Sequence, residues 1–532
     1  MFRIVYIALM VSCLALVAYG QAINTEFGKN RVQFHDDFND WWQYETENFI
    51  TYWYGKGRFI ARPVIQMAEQ EHDAIQSIFE HRMNDKIEVI VYVDISDLKQ
   101  SNIGTEETFT NKTGETKIVG NKMFVYFDGN HKHLLDKVKT GISTVYFNNM
   151  MFGSNLQEII QNAVLMNIPE WYRQGIIEYA AYGWDPDAEN ELRNLWDSNK
   201  KYHRFEKLAE QHPGIAGQSF WNYIALNYGR SNIANLLYLA KISRGTDNSF
   251  EYILNTSLEN LKEEWAGFYT QYYGEEKGRF VLPPRSAELK LRSKGKIPVS
   301  NLKISPDGRS LVYVTNDKGK FRIVQRDLST DRETTLFKYG YKNLFQETDY
   351  NYPVIAWHPQ KPEITFAYEH RDVIKLVKMN LESGEKMEQI IPTDFQRIYT
   401  ISYINDLDYV FSASVDGFAD LILYKSKNRN FEKITNDFYD DLDAEYTTID
   451  GKKGILFSSN RLTDTIRELK YDTIIPTDAF DLWFLPEQSG VAPRLTFTPY
   501  VNETRPHLAD QNFISFLSDK SGVKNMALLA LK

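Results

Sequence analysis

Residues 301–328 read "NLKISPDGRSLVYVTNDKGKFRIVQRDL". The grammar is strand, turn at Pro306-Asp307-Gly308, strand, turn near Gly319, strand. Apolar residues alternate with polar ones within each strand. The same grammar recurs downstream. Residues 354–381 ("VIAWHPQKPEITFAYEHRDVIKLVKMNL") and 400–426 ("TISYINDLDYVFSASVDGFADLILYKS") are second and third copies. A fourth begins at 445–462 ("EYTTIDGKKGILFSSNRL") and resumes at 479–487 ("AFDLWFLPE") after an insertion. Residues 505–531 ("RPHLADQNFISFLSDKSGVKNMALLAL") are a fifth. Similar strands would also suit a β-sandwich. A unit repeated at blade length favours a propeller, in which Asp/Gly turns reverse the chain tightly and alternating apolar residues pack blade on blade.

Upstream of the repeats the texture differs. "NFITYWY" (48–54) and "KIEVIVYV" (86–93) read as strands, with a helical pattern between them at 62–83. Leu134, Val138, Ile142 and Val145 fall on one helical face. Segments 218–229, 231–242 and 257–273 are further helices, and the proline-bearing stretch 280–298 reads as a linker. The expected organisation is a signal peptide at 1–20, an α+β domain at 21–275, a linker at 276–295 and an all-β propeller at 296–532. With 532 residues, 43% hydrophobic and 14% aromatic, core material is ample. A net charge of -10 offers no basic stripe to nucleic acid.

The N-terminus, "MFRIVYIALMVSCLALVAYGQ", carries Arg3, an apolar run, and small residues Ala18 and Gly20 ahead of Gln21. That order predicts export with cleavage after Gly20. The one cysteine, Cys13, lies inside the run. A competing reading makes "MVSC" a lipobox with Cys13 acylated, but Leu14-Ala15-Leu16-Val17 continue the apolar core instead of the usual small polar residues. Ordinary cleavage leaves a mature chain without thiol or disulfide chemistry. No later stretch is apolar enough to span a bilayer.

On "SPDG", the apolar strand after it, "FSSNR" and "FLSDKSG", residues 296–532 resemble TolB-type propeller repeats. That family closes its ring with six blades, and five are countable here.

A second resemblance covers residues 125–185. "MFVYFDGN", "FNNMMFGSNLQEIIQN" and "IPEWYRQGIIEYAAYGWD" resemble the framework of secreted peptidase-MA-like gluzincins, which implies a zincin-like fold. An active member needs two histidines at i and i+4, a glutamate beside the first, and a third zinc ligand on a later helix. None of the ten histidines is followed by glutamate, so no such motif exists in the chain. The resemblance places the motif helix at "TGIST". Thr140 and Thr144 stand at the histidine positions, Gly141 at the glutamate, and Gln174 at the third ligand. Hydroxyls and an amide make poor zinc ligands, and Gly141 has no group to activate water. No metal or cofactor is expected, and the reading is a pseudopeptidase.

Other candidates weigh less. His131 and His133 follow Asp128-Gly129, where a solvated turn is the expectation. Glu71-His72-Asp73 reads as an exposed polar helix face. Glu158 and Glu178 would make a carboxylate pair of the kind glycosidases use, but Glu178 occupies a framework position. The aromatic stretch "KYGYKNLFQETDYNY" (338–352) reads as either interface anchors or packing between blades, and the insertion at 461–481 as a contact loop or a long connection. Together these imply a non-catalytic exported scaffold, an accessory subunit of a Gram-negative outer-membrane or secretion assembly, in the periplasm or at the outer membrane, with envelope proteins as partners. A hydrolase with an unrecognised site and an envelope glycan- or peptide-binding module are the alternatives.

Overall fold

The computed structural model describes residues 40–100, 108–111, 114–153, 166–275, 289, 297–342, 348–371, 373–415, 417–466, 475–477 and 479–531. The expected signal peptide at 1–20, Cys13, Glu158 and almost all of the expected linker lie outside the described residues.

The N-terminal region sets helices on a mixed sheet. Strands β1 (Trp41–Glu45), β2 (Phe49–Tyr54), β3 (Ile87–Tyr92), β4 (Thr108–Asn111), β5 (Gly114–Val119) and β6 (Lys122–Tyr126) lie in the order β1-β2-β3-β6-β5-β4. β2, β3 and β6 run parallel and the other pairings are antiparallel. The helices are α1 (Arg58–Phe79), α2 (Ile95–Gln100), α3 (His131–Phe152), α4 (Glu170–Tyr182), α5 (Pro186–Ser198), α6 (Phe205–Gln211), α7 (Pro213–Tyr228), α8 (Asn232–Ser243), α9 (Asp247–Leu254) and α10 (Leu258–Glu275). α3 starts where Asn130 accepts hydrogen bonds from the backbone N–H of Lys132 and His133, an N-cap. Its predicted face, Leu134, Val138, Ile142 and Val145, is buried against the sheet and α1 in one core.

α4 and α7 approach glycine to glycine. A Cβ on Gly175 would fall 2.3 Å from Gly217 Cα, and one on Gly217 would fall 1.8 Å from the Trp171 carbonyl oxygen. Only bare backbone allows this crossing.

The C-terminal part is a five-blade β-propeller. Its blades are β7 (Val299–Ile304), β8 (Ser310–Asp317), β9 (Lys320–Asp327) and β10 (Glu333–Tyr339); β11 (Val354–Trp357), β12 (Glu363–His370), β13 (Val373–Asn380) and β14 (Lys386–Ile390); β15 (Phe395–Tyr403), β16 (Asp408–Val415), β17 (Phe418–Lys425) and β18 (Asn430–Lys433); β19 (Asp441–Ile449), β20 (Lys452–Ser459) and β21 (Asp481–Pro486); and β22 (Glu503–Leu508), β23 (Phe513–Ser518) and β24 (Asn525–Ala530). The quoted turn forms as its residues require. Asp307 accepts from Ser305 Oγ at 2.6 Å and from the Arg309 N–H at 3.1 Å, and Gly308 takes a φ of 71°. Four apolar seams join successive blades, for example Val312, Val314 and Ile323 against Ile355, Phe366 and Val377.

Two sequence expectations are corrected here. His72 is not on an exposed face: its ring is buried, 5.8 Å from Phe49, and Nε2 is 2.7 Å from the Tyr146 hydroxyl. His131 is not in a solvated turn: it opens α3 and is fully buried. The aromatic stretch 338–352 divides. Tyr339 packs on Phe321 and Tyr368, and Tyr352 is buried and accepts from the Ile398 N–H, whereas Tyr341 and Tyr350 are exposed.

Candidate functional site at the helix–propeller junction

The sequence-derived positions fall on two helices. Thr140, Gly141 and Thr144 lie on α3, and Gln174 lies on α4. Thr144 Oγ1 donates back to the Thr140 carbonyl at 2.7 Å, and Thr140 Oγ1 shares a 2.5 Å hydrogen bond with the Tyr182 hydroxyl at the far end of α4. A Cβ on Gly141 would sit 2.6 Å from Met123 Sδ, so that position abuts β6. Gln174 Nε2 donates to Glu170 on its own helix at 2.5 Å. Thr140 and Thr144 are thus brought together, and Gln174 bonds within its own helix. Beside Tyr182 lies a cavity of about 200 Å³, lined by Glu71, Lys139, Tyr179 and Arg230 among others.

A buried polar site lies elsewhere, where the start of α3 meets the propeller. The His131 N–H donates to Asp440 Oδ2 at 2.7 Å and the ring Nδ1 to Oδ1 at 2.6 Å. Both side chains are fully buried. The Asp440 side chain therefore accepts from the first N–H of the helix, which has no partner within the helix, as well as from the ring. The imidazole stacks on Phe418 of β17 at 5.6 Å and lies 4.7 Å from Phe127. Phe59 of α1 meets Phe418 at 6.3 Å. The preceding turn is shaped by the propeller too: Gly129 has φ 93°, and a Cβ there would lie 2.0 Å from the Tyr399 ring. Asp128 bonds Lys137 and His133. Burial alone would raise its pKa, but those two cations hold it well below the ordinary carboxylate value. Lys524 and Asp187 add a second bridge between the two parts at 2.7 Å.

Behind Asp440 sits a buried charge cluster. Carboxylate oxygens of Asp420, Asp437 and Asp441 lie within 4.8 Å of one another. Arg461 Nη2 reaches Asp437 at 3.1 Å and Asp441 at 2.8 Å, and Lys433 Nζ lies 3.2 Å from Asp420. Burial, then the charge of Asp441, pushes the Asp437 pKa up to about 7, and burial pushes Asp420 well up. Three carboxylates are a donor set that suits a hard cation. Here Arg461 and Lys433 already supply positive charge among them, and the cluster ties β17 of the third blade to the fourth. Sequence reasoning missed these residues. The available signal was the run "DFYDDLD" at 437–443, too acidic for an ordinary buried segment unless its charges are paired.

No protein-family profile matches the chain. Over 106 residues it is 28% identical to the Tol-Pal system protein TolB of Helicobacter hepaticus, a match covering 20% of this chain and 25% of that one. The chain thus spans a quarter of the length of the curated relative it matches. Among solved structures, it is similar to TolB from Acinetobacter baumannii (16% identity, TM-score 0.29, 44% of this chain and 54% of that one). It is also similar to a putative TolB from Agrobacterium tumefaciens (14% identity, TM-score 0.33, 46% and 82%). The propeller is TolB-like.

Proposed function

We propose that the chain is a non-catalytic exported scaffold of a Gram-negative envelope, in which a degenerate gluzincin-like region and a TolB-like propeller present one interaction surface. The observation that carries this reading is the content of the old catalytic positions. Two hydroxyls bonded within the helical region, a glycine against β6 and an amide bonded to Glu170 offer neither zinc ligands nor a base. The similarity to TolB, and the absence among the described residues of a helix long and apolar enough to cross a membrane, are compatible with periplasmic work beside envelope proteins.

The test is an affinity pull-down by the full chain from detergent-solubilised envelope, with metal analysis of the eluate. Stoichiometric recovery of specific envelope proteins without zinc is the expected result. Stoichiometric zinc, or hydrolytic turnover by the purified chain, would sink the reading in favour of a hydrolase. One feature favours a second reading, a glycan- or peptide-binding module: the cavity beside Tyr182 combines Glu71, Lys139 and Arg230 with tyrosine rings.

A further inference from the structure

The five blades are not equivalent at their outer edges. The first three each have four strands. In the fourth, residues 493–496 take the place of the outermost strand: Leu495 N–H donates to the Leu482 carbonyl at 2.7 Å and Phe484 N–H to the Pro493 carbonyl at 3.1 Å. In the fifth, among the described residues, β24 pairs with β23 alone and its other edge faces outward.

That edge lacks the usual guards. Outer strands of soluble sheets are blunted by charge, proline or bulges. β10 carries Glu333 and Lys338, β14 carries Lys386 and Glu388, and β18 carries Glu432 and Lys433. β24 is "NMALLA", with no charge and no proline.

The sheet face beside the edge is equally bare. Ile514 and Phe516 point into the seam with the fourth blade. The opposite face pairs Phe513, Ser515 and Leu517 with Ala530, Leu528 and Met526, all uncharged. Met526 is 77% exposed and Leu528 62%. Outer-strand apolar residues are also exposed on β14, where Met387 is 67% and Ile390 51% exposed, but there they stand beside Lys386 and Glu388. The outward apolar cluster of the first blade, Leu311, Tyr313 and Val324, includes no residue of the fifth.

We propose that β24 is a docking edge that takes, as the missing fourth strand of the fifth blade, an extended segment of a partner protein with apolar residues at alternate positions. The proposal rests on the scaffold reading and names where a partner attaches. A strand fits because the free N–H and C=O groups of β24 bind backbone, while alternate side chains of the added strand reach the Met526–Leu528 face. A helix or a lipid surface leaves those backbone groups unmatched. A second copy of this chain, also at net charge -10, approaches against like charge.

The probe is a fluorescent peptide of alternating valine and threonine with a glutamate at each end, added to the full chain. Anisotropy is expected to show saturable binding, and amide hydrogen exchange to slow at residues 525–530. Leu528→Glu and, separately, Met526→Lys place a charge on the exposed face without disturbing a buried position. Each is expected to weaken the peptide by about tenfold or more while leaving circular dichroism unchanged. Unchanged exchange at 525–530 under saturating peptide would overturn the proposal, as would wild-type affinity retained in both variants. Sedimentation showing a wild-type dimer that Leu528→Glu dissociates would overturn it in favour of self-pairing. If the variant recovers envelope partners as well as wild type does, the docking edge is wrong and the scaffold reading stands. If wild type recovers none, it is the scaffold reading that fails.

Discussion

Asp437 is a carboxylic acid held beside two other acids and one guanidinium, and burial keeps its proton on until about pH 7. The unfolded chain releases that proton near pH 4. The folded state therefore binds more protons between these values, and stability from this residue falls as pH rises. It is fully present below about pH 4 and lost by the time pH passes about 7, at about 1.4 kcal/mol per unit. Asp128 behaves oppositely: its lowered pKa contributes stability above the ordinary carboxylate range and loses it only as pH falls below that range. The two windows do not overlap. Denaturant unfolding of wild type and Asp437→Asn from pH 5 to 8 should show wild type losing stability relative to the variant as pH rises toward 7. A parallel pair of curves would mean that Asp437 is already ionised in the folded chain. Little of this was legible in the sequence. His131 and Asp440 are 309 residues apart, and a histidine after an Asp-Gly turn reads as solvated until the partner that buries it is known.

At the scale of elements, the blades were the most legible part, because turn chemistry and strand alternation are local and repeat. The glycine of "RQGIIEY" was legible as framework, but its reason was not. Gly175 exists because Gly217 of α7 crosses it, and Gly217 exists because the Trp171 carbonyl leaves no room for a methyl group. Gly217→Ala is expected to destabilise by about 2 kcal/mol or more, since backbone must move to admit the new carbon. Gly267→Ala, inside α10 with open space around its Cβ position, is the matched control. It should stabilise by about 0.5–1 kcal/mol through helix propensity alone. Opposite signs in the two thermal melts are the expected outcome. Two losses of similar size would mean that glycine entropy and crossing geometry have been misassigned.

For the whole molecule, the question is whether two parts of unlike architecture unfold as one. The contacts between them include a surface bridge and a buried junction. Lys524–Asp187 is partly exposed on both sides, and such pairs contribute about 0–1 kcal/mol. His131–Asp440 is fully buried, caps α3, and is walled by Phe418, Phe127 and Phe59. Removing the acid leaves an imidazole and a helix N–H buried without their acceptor, a loss on the order of 3–5 kcal/mol. That loss falls on the junction, because both hydrogen bonds run from His131 of the helical region to Asp440 of the propeller. Calorimetry of wild type is therefore expected to give one dominant transition. Asp440→Ala should split it into two, while Lys524→Ala should leave it whole. The same variant should free the helical region for limited proteolysis with both fragments still folded. A single transition in Asp440→Ala, merely shifted downward, would mean that the apolar wall around Phe418 couples the parts without the His131–Asp440 hydrogen bonds. Phe418→Ala would then be the variant that separates them.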